Sequence, residues 1–112
     1  MTTTETGRYA EDCAAAYLRA SGYKVIDQNW RTRWCEIDII TQKRGITYFV
    51  EVKYRAKAAW GDGLDAITPK KLQQMAFAAE LWVNERRWTG GYQLMAVSVA
   101  GQPPQVVDCI EL

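Results

Sequence analysis

The chain has 112 residues, of which 48% are hydrophobic and 24% are charged, and its formal net charge at pH 7 is +1. This composition is typical of a soluble globular chain and predicts one domain over residues 1–112. The absence of histidine from the sequence excludes histidine-based triads, histidine general bases and histidine metal ligands within the chain.

Hydrophobic periodicity and turn residues predict two helices and five strands. In chain order, the predicted elements are helix 5–20, strand 23–26, a polar break at 27–29, hairpin strands 34–41 and 46–53, a loop over 54–68, a helix from Thr68 to about Trp88, and strands 92–99 and 106–110. Thr68 and Pro69 are typical of an N-cap and a first helical position. The buried stripes predicted for the helices are Ala10, Cys13, Ala14, Tyr17 and Leu18, and then Leu72, Met75, Ala76, Ala79, Trp82 and Val83.

The hairpin carries an unusual set of charges on one face. Side chains alternate along a strand, so Glu51 and Lys53 point to one side, and Asp38 occupies the matching parity of the preceding strand. A loop at 42–45 predicts that Glu36 lies opposite Glu51, with Asp38 opposite Phe49 and diagonal to Glu51. Like charges placed opposite each other are destabilising, which favours a cation between them. An ordinary solvated strand face is the alternative interpretation.

Two acids and a lysine in this arrangement suit metal-assisted phosphodiester cleavage. The three cysteines are too few and too far apart for a zinc site, so carboxylate and carbonyl oxygens are the expected ligands and Mg²⁺ or Mn²⁺ the expected ion. Asp38, Glu51 and the backbone carbonyl of Val52 are the predicted ligands, and Glu36 is a further candidate. Lys53 is predicted to orient or deprotonate a water molecule, or to stabilise developing negative charge.

Positive charge is concentrated around these acids. Residues 24–57 contain eight basic and four acidic residues, which is typical of a phosphate-binding groove, although a solvated basic surface has the same composition. The residues predicted to bind nucleic acid are Arg8, Arg31, Arg33, Arg55, Lys57, Lys70 and Lys71. No stretch is long and apolar enough to cross a membrane, and the first residues lack signal-peptide features. We therefore expect a cytoplasmic protein with no membrane partner and no small-molecule cofactor.

Glu11 is a further candidate in the first helix. It lies three, four and seven residues before Ala14, Ala15 and Leu18, on the flank of the apolar stripe. A half-buried acid there could reach the metal site, and a partly solvated acid is the alternative.

Seven motifs in consistent order resemble the YraN family of small bacterial proteins, and one of them is Tyr17-Leu18 in the first helix. The other six are, in chain order, Gly7-Arg8-x-Ala10-Glu11, Gly22-Tyr23-x-Val25-Ile26, Asn29-Trp30-Arg31, Glu36-Ile37-Asp38-Ile39-Ile40, Phe49-Val50-Glu51-Val52-Lys53-x-Arg55 and Ala66-Ile67-Thr68-Pro69-Lys70-Lys71. That family is similar to Holliday-junction resolvases of the restriction-endonuclease-like superfamily. The resemblance implies an α/β fold with a central mixed sheet flanked by helices, a metal site at Asp38, Glu51 and Lys53, and Glu11 as an accessory acid. It also implies a homodimer.

Two positions depart from the family pattern. Cys35 stands where glycine is usual, and its parity predicts that the side chain points away from the acids. Tyr92-Gln93-Leu94 replaces a usual Arg-Phe-Asp, so the late strand lacks an acid.

Three functions follow as hypotheses. The first is a metal-dependent nuclease acting on DNA, including branched or recombining structures. The second is a nucleic-acid-binding module that does not cleave. The third is a protein-interaction adaptor on a degenerate nuclease fold, whose five tryptophans form a docking surface; in the nuclease hypothesis Trp60 of the loop could instead stack on a base.

Overall fold

The computed structural model describes residues 3–55 and 67–112, with side chains from Gly7 onward. In chain order, the elements are α1 (Thr3–Ala20), β1 (Lys24–Arg31), β2 (Glu36–Lys43), β3 (Ile46–Arg55), α2 (Pro69–Arg86), β4 (Gly91–Ala100) and β5 (Gln105–Glu111). This order confirms the predicted succession of elements. Most of the predicted loop at 54–68, including Lys57 and Trp60, lies outside the described residues.

The five strands form one mixed sheet in the order β1-β2-β3-β4-β5. All neighbouring pairs are antiparallel except β3 and β4, which are parallel and are connected through α2. The two helices pack on separate clusters of sheet residues. This architecture confirms the predicted α/β class and is consistent with a restriction-endonuclease-like fold.

Small residues let each helix approach the sheet closely. On α1, Ala10 and Ala14 pack in the same cluster as Ile39 and Val50 of the sheet. On α2, Ala79 belongs to the second cluster. The aromatic rings of Trp82 and Phe49 in that cluster meet edge to face with 5.4 Å between their centroids. The predicted stripes were wrong at Tyr17 and Leu72, which are 42% and 39% exposed. Ala15 and Ala78 are buried instead, and Leu72 precedes Met75, the first buried residue of α2, by almost one turn.

The β2–β3 hairpin has a tighter turn than the sequence analysis predicted. Lys43 pairs with Ile46, and Thr41 pairs with Tyr48 rather than with Ile46. Only Arg44 and Gly45 form the loop, with φ angles of 53° and 78°. Positive φ at both positions is the geometry of a two-residue type I′ turn, for which glycine is well suited. The predicted register was therefore wrong by two residues, and the even shift left the paired side chains of residues 39–43 and 46–50 on their predicted faces.

The polar segment 27–29, predicted to break the first strand, lies inside β1. The pairing with β2 shifts by one residue between Val25 and Asp27, and Asn29 has a φ of 55°. A β-bulge adds a residue to one strand without ending the ladder, so β1 continues to Arg31.

The start of α2 confirms the predicted cap. The Thr68 side-chain oxygen accepts a hydrogen bond from the Lys71 amide at 3.1 Å, and Pro69 occupies the first helical position. The helix ends at Arg86, where Arg87 adopts the left-handed conformation with φ 53°. Neither helix of the described residues is long and apolar enough to span a membrane.

We expect Thr68→Ala to lower the free energy of unfolding by about 1 kcal/mol, because one amide of the first turn loses its side-chain acceptor. Urea denaturation followed by circular dichroism measures the change. Thr68→Ser is the matched control, since it keeps the hydroxyl and should stay within a few tenths of a kcal/mol of the wild type. Equal losses in both variants would show that the threonine methyl group, not the cap, stabilises this end of α2.

Candidate active site

The paired residues of β2 and β3 end at Ile39 and Val50. Beyond this pair, the Asp38 side chain accepts a hydrogen bond from the backbone of β3. The Val52 amide donates to the Asp38 Oδ2 atom at 2.8 Å. A side-chain carboxylate thus takes a bond that a backbone carbonyl would otherwise accept. The contact holds Asp38 beside β3 at the point where the two strands stop pairing.

The corrected register changes the neighbours of the acids. Continued beyond the last ladder pair, it sets Asp38 opposite Glu51 and Glu36 opposite Lys53. The predicted pairing of Glu36 with Glu51 is therefore wrong. Glu36 forms an exposed ion pair with Arg31, with 3.1 Å between Oε2 and Nε. Asp38 replaces Glu36 as the close partner of Glu51.

Asp38 titrates in an unusual environment. Burial, and then the negative charge of Glu51, raise the pKa of the Asp38 carboxyl from 3.8 to about 7. The Val52 amide and the Lys71 ammonium group lower this pKa, and Glu11 raises it further. Two other carboxylates thus act on Asp38 strongly enough to oppose its ionisation. The site concentrates negative charge in a place that water reaches poorly.

Glu51 is 9% exposed and contacts two lysines. Lys53 Nζ lies 3.6 Å from Oε1, which confirms that these two side chains share a face of β3. Lys71 Nζ lies 3.3 Å from Oε2 and comes from the first turn of α2. Both ammonium groups are partly buried, so the ion pairs are less screened than they would be at the surface.

The role of Lys71 was missed by the sequence analysis, which assigned it only to a nucleic-acid surface. The signal was present in the order of elements: a helix between two parallel strands begins near the carboxyl end of the first strand, where Glu51 and Lys53 lie. The position also breaks a local rule. Lys70 and Lys71 lie in the first turn of α2, where the helix dipole disfavours cations, and the turn has no acidic residue. The contact with Glu51 offsets this cost.

Glu11 of α1 acts on Asp38 through its charge. Its Oε1 atom is buried and has no hydrogen-bond partner among the described residues. Burial, followed by the charge of Glu36, raises the pKa of Glu11, while a polar contact from the Asn29 side chain lowers it. Because Glu11 also raises the pKa of Asp38, the two carboxyls lie within electrostatic reach of each other.

The predicted face of Cys35 was wrong. Cys35 and Ile37 pack against the core cluster that contains Ile40 and Phe49, whereas Ile39 packs in the α1-side cluster. Before Ile39, β2 pairs only with β1, so no second ladder fixes its alternation. Cys35 nevertheless contributes to packing, as expected, and none of the three cysteines forms a disulfide.

The position of the missing late-strand acid lies away from Asp38. Leu94 pairs with Phe49, two residues before Glu51 on β3, and packs against the α2-side core. Gln93 donates through its side-chain amide to the Leu112 carbonyl at 2.6 Å. In this chain the segment therefore serves packing and closure of the sheet.

The predicted basic residues differ in exposure. The exposed ones are Arg8, Arg31, Arg33, Arg55 and Lys70, and Lys71 is half-buried. Lys57 lies outside the described residues. Over residues 3–55 and 67–112, no group of three or more acidic or cysteine side chains is arranged to hold a metal ion.

Fold and site together define a restriction-endonuclease-like α/β protein with a buried acid, a half-buried acid and two half-buried lysines where two central strands separate. The chain belongs to the uncharacterised protein family UPF0102, whose family model matches residues 10–110, and this confirms the resemblance to the YraN family. It is 46% identical over 78 residues to a relative from Rhodopseudomonas palustris, covering 70% of this chain and 58% of the relative. A relative from Sulfurihydrogenibium is 38% identical over 90 residues (80% and 78% of the two chains). A third, from Pseudomonas aeruginosa, is 34% identical over 112 residues (96% and 90%).

The Asp38 carboxyl gives the metal-free protein a specific pH dependence. Because its folded pKa of about 7 lies above the ordinary 3.8, its contribution to stability is complete below about pH 4 and is lost as pH rises through 7. The free energy of unfolding of the wild type, minus that of Asp38→Asn, should therefore fall by up to about 4 kcal/mol between pH 4 and pH 8. Urea titrations in EDTA measure this difference. Glu85→Gln, an exposed acid of α2, is the control and should run parallel to the wild type. If the free energy of unfolding of Asp38→Asn changed with pH in the same way as that of the wild type, the raised pKa of Asp38 would be contradicted.

Proposed function

We propose that this protein is a metal-dependent nuclease that hydrolyses phosphodiester bonds of DNA, including branched or recombining structures. One observation carries the proposal. A half-buried Asp38 and a buried Glu51 lie beside each other where the β2–β3 ladder ends. Lys53 and Lys71 both contact Glu51. An ion pair that only stabilises a fold needs one acid and one base. Here Asp38 lies beside the paired Glu51, whose charge opposes the ionisation of Asp38, and such an arrangement is typical of a functional site.

The residues present fit a hard divalent cation such as Mg²⁺ or Mn²⁺. Mg²⁺ in proteins is commonly held by one or two carboxylates together with water and substrate oxygens, so Asp38 and Glu51 are a sufficient pair of acids. The Val52 amide points toward β2, and the carbonyl of a strand residue points to the same side as its amide. The Val52 carbonyl, a predicted ligand, therefore also points toward β2. The Glu11 oxygen that has no partner among the described residues is a further acceptor of the same chemical type.

When bound, such an ion supplies charge neutralisation at the phosphate and lowers the pKa of a coordinated water. The chain's own residues complete the site. Asp38 is held in place by the Val52 amide, so its carboxylate needs little reorganisation. Lys53 and Lys71 place two positive charges beside Glu51, where they can stabilise the negative charge that develops on the phosphate. Lys53 also remains the residue proposed to orient the attacking water.

The exposed arginines around this site suit the nucleic-acid backbone. Arg33 lies in the connection that precedes β2, and Arg55 ends β3; both are exposed and offer forked donors for phosphate oxygens. Contacts of this kind position the substrate without reading its bases. Selectivity would then depend on the shape of the DNA, and a second copy of the chain would place two such sites on a symmetric branched substrate.

A nucleic-acid-binding module without cleavage is the second candidate, and one observation favours it. Glu51 is already neutralised by Lys53 and Lys71, which is the arrangement expected of an acid that never binds a metal. Binding of this kind would weaken with salt and survive the loss of Asp38.

Purified protein with Mg²⁺ or Mn²⁺ should cleave linear, nicked or four-way DNA substrates. Asp38→Asn and Glu51→Gln should each reduce the rate by about a hundredfold or more, because each removes a charged group from the transition-state environment. Gel assays with end-labelled substrates measure the rates.

Glu85→Gln is the matched control and should retain the wild-type rate, since Glu85 is exposed on α2. Cleavage that persists unchanged in Asp38→Asn would show that the activity comes from a contaminant or another site. Salt-sensitive DNA binding without any cleavage would favour the second candidate.

A further inference from the structure

An exposed tryptophan lies only four residues before Asp38. Trp34 is 68% exposed, the largest value among the exposed large hydrophobic side chains of the described residues. Trp30, Trp82 and Trp88 are buried or half-buried, as is usual for this residue. An indole left in water forgoes the favourable free energy of burying its apolar surface, so the exposure of Trp34 needs a functional reason.

The turn that carries Trp34 is tied down by its own hydrogen bonds. The Thr32 side-chain oxygen accepts from the amides of Trp34 at 3.1 Å and Cys35 at 3.2 Å. The Thr32 amide donates to the Cys35 carbonyl at 2.9 Å, which closes the turn between β1 and β2. Cys35 in turn packs against the α2-side core. The backbone of Trp34 is thus fixed while its side chain extends into solvent.

The charge around the indole is positive. The Arg33 guanidinium lies 5.4 Å from the centroid of the Trp34 ring, a cation–π arrangement that leaves the arginine exposed. Arg31 ends β1 next to this connection and is partly neutralised by Glu36. No other exposed large hydrophobic side chain lies between residues 27 and 71 in the described residues. An exposed aromatic ring with a cation against it suits a flat, polar-edged ligand better than an apolar protein surface.

The position relative to the acids limits what the ligand can be. Four residues of extended chain separate Trp34 from Asp38, at most about 13 Å. Nucleotides of a stacked strand rise by about 3.4 Å each, so a strand held at Asp38 would place a base two to four nucleotides away beside Trp34. Aromatic side chains stack on unpaired bases whatever their sequence, and adjacent arginines hold the backbone.

We propose that Trp34 stacks on an unpaired base of DNA bound at the acidic site, and that the substrates of this protein contain unpaired nucleotides close to the cleavage point. This inference rests on the proposed function for the location of the strand. It adds a substrate class, namely duplexes with a flap, gap or open junction, and it assigns a binding role to a residue outside the acidic site.

The test compares DNA binding by fluorescence anisotropy in EDTA, where metal-dependent cleavage is absent. The two labelled probes are a duplex with a short single-stranded flap and a blunt duplex of the same length. Trp34→Ala should weaken binding to the flap duplex about tenfold and change binding to the blunt duplex less than about twofold. Trp34→Phe should retain most of the flap preference because it keeps an aromatic face.

Phe77→Ala is the matched control, since Phe77 is an exposed aromatic residue of α2 outside the site, and it should bind both probes like the wild type. 2-Aminopurine in the flap reports stacking directly: its fluorescence should be quenched by the wild type and not by Trp34→Ala. Equal losses on both probes, no loss on either, or the same loss in Phe77→Ala would each overturn the inference.

The outcomes also separate this inference from the nuclease proposal. Acid-dependent cleavage of blunt duplex by a protein indifferent to Trp34 would refute the stacking role alone. Trp34-dependent flap binding by a protein that never cleaves would refute the nuclease alone.

Discussion

The hydrogen bond from the Val52 amide to the Asp38 carboxylate is the contact on which the rest of the site depends. It lies where the ladder between the two strands stops at Ile39 and Val50, so the sheet is held together there by a side chain instead of a carbonyl. That substitution keeps Asp38 inside the protein and beside Glu51. Any change that lets the strands pair one step further would move the carboxylate out of the site.

The acids of the site repel one another. Burial and Glu51 raise the pKa of Asp38 to about 7, Glu11 adds to the effect, and two lysines partly compensate at Glu51. Proteins retain such conflicts where function requires them, because a core of apolar residues would be more stable. A divalent cation would relieve the repulsion between the acids, and a phosphate would pair with the lysines released from Glu51. The two ligands therefore complement each other in charge.

Much of this arrangement could be predicted because side chains alternate regularly along a paired strand. The prediction placed Glu51 and Lys53 on one face, and it survived an error of two residues in register, since an even shift preserves the faces of paired residues. The same parity argument failed at Cys35, which precedes the last pair of the β2–β3 ladder. The register itself was missed because the two-residue turn at Arg44 and Gly45 requires positive φ at both positions, and arginine gives no local signal of that. Lys71 reaches Glu51 through the packing of α2 on the sheet, which no local pattern encodes. The exposure of Trp34 has the same origin, because tryptophan in sequence is ordinarily read as a core residue.

Calorimetric titration of Mn²⁺ into the metal-free protein at pH 8 shows whether Asp38 and Glu51 bind a divalent cation, with Asp38→Asn and Glu51→Gln as variants and Glu85→Gln as control. We expect one Mn²⁺ site in the wild type and in the control, at least tenfold weaker binding in either variant, and tighter binding when a four-way DNA junction is present. Absence of Mn²⁺ binding with and without DNA, or binding that ignores both acids, would contradict this expectation.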